Sequence, residues 1–378
     1  MNLTRRGLLT AGGLTVLLGG LGGLAGCAAD PAKKGRPSNE TGGDDRAWLM
    51  PEEGAAHAAT WMSFGVSDDI WGAELAPAAR AALVAVANAI AAFEPVKVLV
   101  PSGTRPEGLH AGVELFERDV DDLWMRDTGP VFVTAADGAK ALGGVDLNFN
   151  GWGDKQEHDA DAKVASEVCE LADVERIRTE LVLEGGALEV DGEGTAIITE
   201  SCVLNDNRNP GWTKREVEEE LGRLFGIEKV IWLPGIAGKD ITDGHTDFYA
   251  RFTEPGVIVA ARDDDPESYD YAVTRKHLEI LKTATDAQGR SLVTHVLPAP
   301  TKLRDDYLND DFAAGYINFY VCNGGVIAPE FGDAEADGFA RKTLEGLFPG
   351  RTVVQVNIDP IAAGGGGIHC ATQQQLKS

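Results

Sequence analysis

Short apolar runs punctuated by glycine, proline and aspartate alternate along this chain with longer stretches whose apolar residues recur at helical spacing. The runs Ala58–Gly65, Val96–Val100, Val131–Val133, Val230–Gly235, Val257–Ala261 and Thr352–Val356 predict buried strands. Pro77–Phe93, Asp159–Leu171, Thr213–Phe225, Tyr269–Asp286 and Ala336–Leu347 predict helices, the third with Thr213 as N-cap and Glu216 completing a capping box. Leu181–Thr199 reads as a hairpin turning at Asp191–Gly194, and Ile317–Pro329 as one strand kinked at Asn323-Gly324-Gly325. The pattern is that of an α/β protein.

Set against it are polar residues in or beside apolar strands: Asp127, Glu184, His245, Asn318 and Cys370, separated by 52 to 73 residues. Blades repeated around an axis would place such residues alike, though any α/β chain alternates in this way. Cys370 follows four glycines, Gly364–Gly367, a backbone suited to a tight bend or to close approach of another molecule. The stretch reads equally as a nucleophile or as a flexible tail with a buried small hydrophobe. Asp121–Pro130 reads locally as a surface loop; as a cation pocket it would use Asp127 against the ligand and Trp124 as a wall. His245 and Asp247, if in a strand, share one face. As a His-x-Asp metal pair they lack further histidines at matching spacing. Glu184, after an apolar run, is either an edge charge or a buried carboxylate that needs a partner.

Composition narrows the setting. At 378 residues and 43% hydrophobic, the chain can build a large core. Its net charge is -26, and because the first 27 residues hold Arg5 and Arg6 but no acid, the remainder carries -28. Such a body repels nucleic acid and anionic membrane and attracts small cations. Thr4–Leu9 is a twin-arginine n-region, a glycine- and leucine-rich stretch follows, and Leu24-Ala25-Gly26-Cys27 reads as a lipobox. Residues 1–27 are therefore expected to be a lipoprotein signal peptide with Cys27 as the lipidated residue, 28–46 a solvated tether, and 47–378 the catalytic domain. That assigns the protein to the outer face of the cytoplasmic membrane, touching the membrane only through its anchor. Cys169, Cys202, Cys322 and Cys370 are scattered singly, unlike a disulfide framework or a CxxC metal site.

Trp124–Pro130, Asn148–Gly153, Leu183–Gly186, Asn205–Pro210, Asp243–Asp247 and Ile368–Cys370 together resemble the agmatine deiminase family, which includes bacterial peptidylarginine deiminases. The resemblance implies a five-bladed α/β propeller with its active site on the central axis. It implies Cys370 as nucleophile, His245 as general acid/base with Glu184 as partner, and Asp127 and Asp247 gripping a guanidinium. Trp124 and Asn318 are added as substrate-binding residues. The substrate expected is a small cationic guanidino compound, agmatine first, with arginine or peptidyl-arginine as the alternative and no metal or organic cofactor required. A lipid-anchored protein that only captures guanidines would need the aspartates but not the Cys–His–Glu set. Gly367, Phe248, and Gly54 with Ala55 depart from the residues common in the family. The sequence leaves the oligomeric state open.

Overall fold

The computed structural model describes residues 46–377, so the expected signal peptide, Cys27 and nearly all of the expected tether lie outside the described residues. Its strands form five separate sheets, and one connection pattern recurs in all of them. An antiparallel pair is followed by a helix and then by a strand parallel to the second of the pair. Val131–Ala135 and Leu142–Asp146, helix Asp161–Ala172 and Glu175–Arg178 make the first such unit. Glu189–Val190 and Thr195–Thr199, helix Lys214–Phe225 and Lys229–Leu233 make the second. The third is Ala250–Glu254, Val257–Arg262, Asp270–Thr283 and Val293–Pro298. The fourth is Tyr320–Cys322, Gly325–Glu330, Ala334–Leu347 and Thr352–Asn357.

The fifth unit is split between the two ends of the domain. Its first strand, Gln373–Leu376, pairs antiparallel with His57–Ser63. Helix Asp68–Ala91 and strands Val96–Val100 and Val113–Glu117 complete it. What looked like a tail is thus the strand that closes the ring of units.

Local chemistry explains the elements. Helix Lys214–Phe225 begins at the expected Thr213–Glu216 capping box and stops at left-handed Gly226. It buries Val217, Leu221, Leu224 and Phe225, each contributing about 1.5–3 kcal/mol by leaving water. Helix Asp68–Ala91 starts two turns before the expected Pro77, because Ser67 caps it and Gly72 kinks it. It is apolar and long enough to span a bilayer, but Leu83, Val86 and Ile90 are fully buried against the sheets, as in a core helix.

Three expected strands are corrected. Tyr320–Cys322 and Gly325–Glu330 form a hairpin around Asn323-Gly324 rather than one kinked strand, as Asn-Gly favours. Leu181–Leu183 lies outside the sheet, and the chain enters its hairpin through a 3-10 turn at Gly185–Ala187. His245 and Asp247 flank and occupy another 3-10 turn, Thr246–Phe248, just before strand Ala250–Glu254.

Candidate active site

Each polar residue singled out above stands two to five residues before the first strand of its unit. Asp127 precedes Val131, Glu184 precedes Glu189, Asp247 precedes Ala250, Asn318 precedes Tyr320 and Cys370 precedes Gln373. Because the five units close into a ring, their entry segments meet at one centre.

There Cys370 Sγ lies 3.5 Å from Asp247 Oδ2, and Asn318 Nδ2 approaches the sulfur at 3.3 Å. His245 Nε2 faces Glu184 Oε2 at 3.1 Å, and its Nδ1 is 3.7 Å from Asp127 Oδ1. Asp127 accepts hydrogen bonds from Trp152 Nε1 at 2.9 Å and from the Gly186 amide at 3.1 Å. All five candidate catalytic residues are at least 96% buried. Two of their polar atoms, His245 Nδ1 and Asp247 Oδ1, lack a hydrogen-bond partner. Asp127, His245 and Cys370 line one cavity of about 300 Å³.

Backbone fit is as tight as side-chain fit. A Cβ on Gly186 would stand 2.7 Å from His245 Nδ1 and 2.9 Å from Asp127 Oδ1. In the glycine run before Cys370, a Cβ on Gly366 would strike the Trp124 ring at 2.1 Å, and one on Gly367 would meet Asn318 Oδ1 at 2.4 Å. The run lets the backbone press against these side chains while it carries Cys370 into the centre.

Electrostatics sort the groups. Burial opposes ionisation of Glu184, but Arg208 and His245 outweigh it and hold the carboxyl at about 2. Burial likewise opposes the imidazolium of His245, yet Asp127 and the bond to Glu184 raise its pKa well above the ordinary value. The imidazolium form of His245 is thereby favoured, which suits the residue to donate a proton. Burial raises the pKa of Asp127; His245 lowers it, and Asp247 and Glu184 raise it further. A cation arriving beside Asp127 is thereby favoured.

A profile of the Porphyromonas-type peptidyl-arginine deiminases matches residues 49–375. The chain belongs to this deiminase family. An agmatine deiminase of Stutzerimonas stutzeri is 40% identical over 87% of this chain and 95% of its own length. The agmatine deiminase structure from Enterococcus faecalis is similar at a TM-score of 0.80 and 34% identity, covering 88% of this chain and 96% of that one. A C. jejuni agmatine deiminase, a cysteine-to-serine variant with substrate bound, is similar at 0.76 and 26%, covering 88% and 97%. As a deiminase, the protein is a hydrolase of guanidino C–N bonds.

Several expectations change within the deiminase site. Asp121–Pro130 is no surface loop, for Leu123 to Pro130 are all buried and Met125–Thr128 forms a helical turn that carries Asp127. Trp124 is not a cavity wall. It is fully buried, donates to Asp122 at 2.9 Å, stacks on Trp71 and backs Gly366. The aromatic lining comes instead from Phe248, Tyr249, Tyr269, Phe312 and Tyr316. Asn318 does not itself line the cavity but touches Cys370, which does: its Oδ1 accepts from the Cys370 amide at 3.3 Å. Of the departures from the family pattern, Phe248 lines the cavity and Gly367 abuts Asn318. Gly54 and Ala55 do not line it; Arg351 donates to the Gly54 carbonyl at 2.5 Å.

Sequence reasoning assigned no role to several groups behind the site. Arg208 Nε donates to both Glu184 oxygens, at 2.8 and 3.0 Å, and its Nη1 reaches Asp243 Oδ2 at 2.8 Å. Lys155 joins at the same Asp243 oxygen, 2.6 Å away. Cys202 Sγ lies 3.6 Å from Glu184 Oε2. Glu184, Cys202 and His245 form the one cluster among the described residues with metal-ligand spacing, but the Arg208 guanidinium already occupies the carboxylate. Arg208 and Asp243 stood inside recognised motifs; their pairing with Glu184 and Lys155 is a tertiary fact. No disulfide joins the four described cysteines, all of them buried.

Proposed function

We propose that this deiminase converts agmatine and water to N-carbamoylputrescine and ammonia. The Cys370 thiolate adds to the guanidinium carbon, which Asp127 and Asp247 hold in front of it by accepting guanidinium N–H bonds. His245 gives its proton to the departing nitrogen, ammonia leaves, and the amidino group remains on sulfur. Neutral His245 then takes one proton from water as the oxygen attacks that carbon, and the thiolate departs while the second water proton is lost to solvent, where ammonia takes it up as ammonium. Glu184, kept ionised by Arg208, orients and stabilises the imidazolium throughout.

The observation that carries the choice of substrate is the outer part of the cavity. Asp240, Asp263, Asp265 and Asp270 line it together with the aromatic residues. Its one lining arginine, Arg262, is engaged by Asp264 through contacts of 2.8 and 2.7 Å. Agmatine brings a primary ammonium to this acidic region, whereas arginine would bring a carboxylate. The names of the relatives from S. stutzeri and E. faecalis agree with this reading. The test is ureido-product formation with agmatine, free arginine and a peptide ending in arginine, measured side by side. Agmatine is expected to have the highest kcat/KM; turnover of the arginine substrates alone would overturn the choice.

The setting we propose is extracytoplasmic, with Cys27 lipidated after twin-arginine export, on the strength of the leader motifs alone. Cys27→Ala is expected to move the protein from the membrane to the soluble fraction of fractionated cells. An unchanged distribution would contradict the anchor.

A further inference from the structure

His369, next to Cys370 in the chain, lies between two buried carboxylates. Its Nδ1 is 2.8 Å from Asp247 Oδ2 and its Nε2 is 2.8 Å from Glu53 Oε2. Donating to both at once takes the imidazolium form, because a neutral ring has one donor and one acceptor. The surrounding charges fit that form. Glu53 pairs with Arg126 at 3.0 Å and with Arg251 at 2.9 Å, and Arg251 also pairs with Glu189 at 2.7 Å. Three carboxylates, Glu53, Asp247 and Glu189, thus face two guanidiniums, and a charged His369 closes the balance.

The Asp247 oxygen that His369 holds is the one 3.5 Å from Cys370 Sγ. A bare carboxylate there would disfavour the thiolate, while a proton donor fixed on that oxygen screens it. The same contact leaves Asp247 Oδ1, buried and without a hydrogen bond, as the oxygen that can receive a guanidinium N–H. Glu53 anchors the other side of the ring and is itself fixed by Arg126, Arg251 and the Val321 amide at 2.8 Å.

We propose that His369 is a positioning residue, clamped by Glu53, that screens the Cys370 thiolate from Asp247 and presents the second Asp247 oxygen to the substrate. This rests on the deiminase mechanism proposed above, but its test does not need turnover. The rate of Cys370 alkylation by iodoacetamide, followed against pH by peptide mass spectrometry, reads the thiolate directly. His369→Gln is expected to slow alkylation near neutral pH by about tenfold, with the midpoint of the profile moved up by about one pH unit. Glu53→Gln, which keeps the shape of the clamp, is expected to move it in the same direction by less. In steady-state assays both variants should raise KM for agmatine. Because Glu53 acts through His369, Glu53→Gln should add little when His369→Gln is already present.

An alkylation profile unchanged in either folded single variant would overturn the proposal, as would fully additive effects on KM. If His369→Gln fails to fold, Glu53→Gln and the ring nitrogen NMR shifts of His369 in the unaltered protein decide the matter. Two protonated nitrogens at neutral pH support the clamp, and one contradicts it. A wild type that ignores agmatine would sink the substrate assignment and leave the alkylation result standing.

Discussion

Asp127 occupies a place hostile to its own charge. Burial and the nearby carboxylates Asp247 and Glu184 raise its pKa, and His245 only partly offsets them. A guanidinium cation relieves that stress, so substrate binds to the ionised form and drives the pKa down. The sign follows: as pH falls towards the raised pKa of free Asp127, the ionised fraction shrinks and KM for agmatine rises, whereas above it KM levels off. Asp127→Asn removes the charge altogether and is expected to lower kcat/KM by about 10- to 100-fold. Asp137→Asn, on an exposed turn, is expected to leave it unchanged, and steady-state kinetics of the two variants would test the contrast. Equal effects would count against a guanidinium grip at Asp127.

At the scale of elements, the entry segments that bear the site are held by ion pairs behind them. Arg208 is the clearest case, since it joins Glu184, before the second unit, to Asp243, two residues from His245. Asp243 itself holds a left-handed backbone at φ 62°, fixed by Lys155, Asn207 and the Gly238 amide. Arg208→Met would leave two buried carboxylates short of a partner and is expected to destabilise the protein by about 3–5 kcal/mol, measured by urea unfolding. Part of that loss depends on pH. Because the Glu184 carboxyl falls from 4.5 to about 2 on folding, its contribution is complete above 4.5 and disappears as pH drops through about 2. The gap in stability between wild type and Arg208→Met should therefore narrow in acid; a constant gap would mean that Arg208 does not act through Glu184.

The same elements show what could be read from the chain. Helix Lys214–Phe225 was legible to the residue at its capping box, because a cap is a local interaction. The five candidate catalytic residues were legible only through their motifs taken together. Asp127 alone looked like part of a surface loop, since nothing local says that Trp152 and Gly186 close over it. Trp124 was misjudged for the opposite reason. An aromatic beside a functional acid suits a ligand wall, but the fold spends this ring on Trp71 and on the glycine run. Glu53 gave no signal, because its partners Arg126, Arg251 and His369 are 73 or more residues away in sequence.

For the whole molecule, the closure of five units into a ring creates the site. Asp127, Glu184, Asp247, Asn318 and Cys370 reach the centre from the first to the fifth unit in turn, so no unit holds the chemistry alone. The closing strand Gln373–Leu376 begins three residues after Cys370, which ties the nucleophile's position to the joining of the two chain ends. The polar residues that recur every 52 to 73 positions in the sequence are the linear trace of that ring. That the fifth unit draws its strands from both ends of the domain became apparent only in the fold.

The central claim is that Cys370 forms a covalent bond to the guanidino carbon, and acid quenching during turnover of agmatine followed by peptide mass spectrometry tests it most directly. The mechanism predicts an adduct on the peptide containing Cys370, heavier by the mass of agmatine less ammonia, together with loss of adduct and turnover in a folded Cys370→Ala variant. Substantial turnover by Cys370→Ala would contradict it.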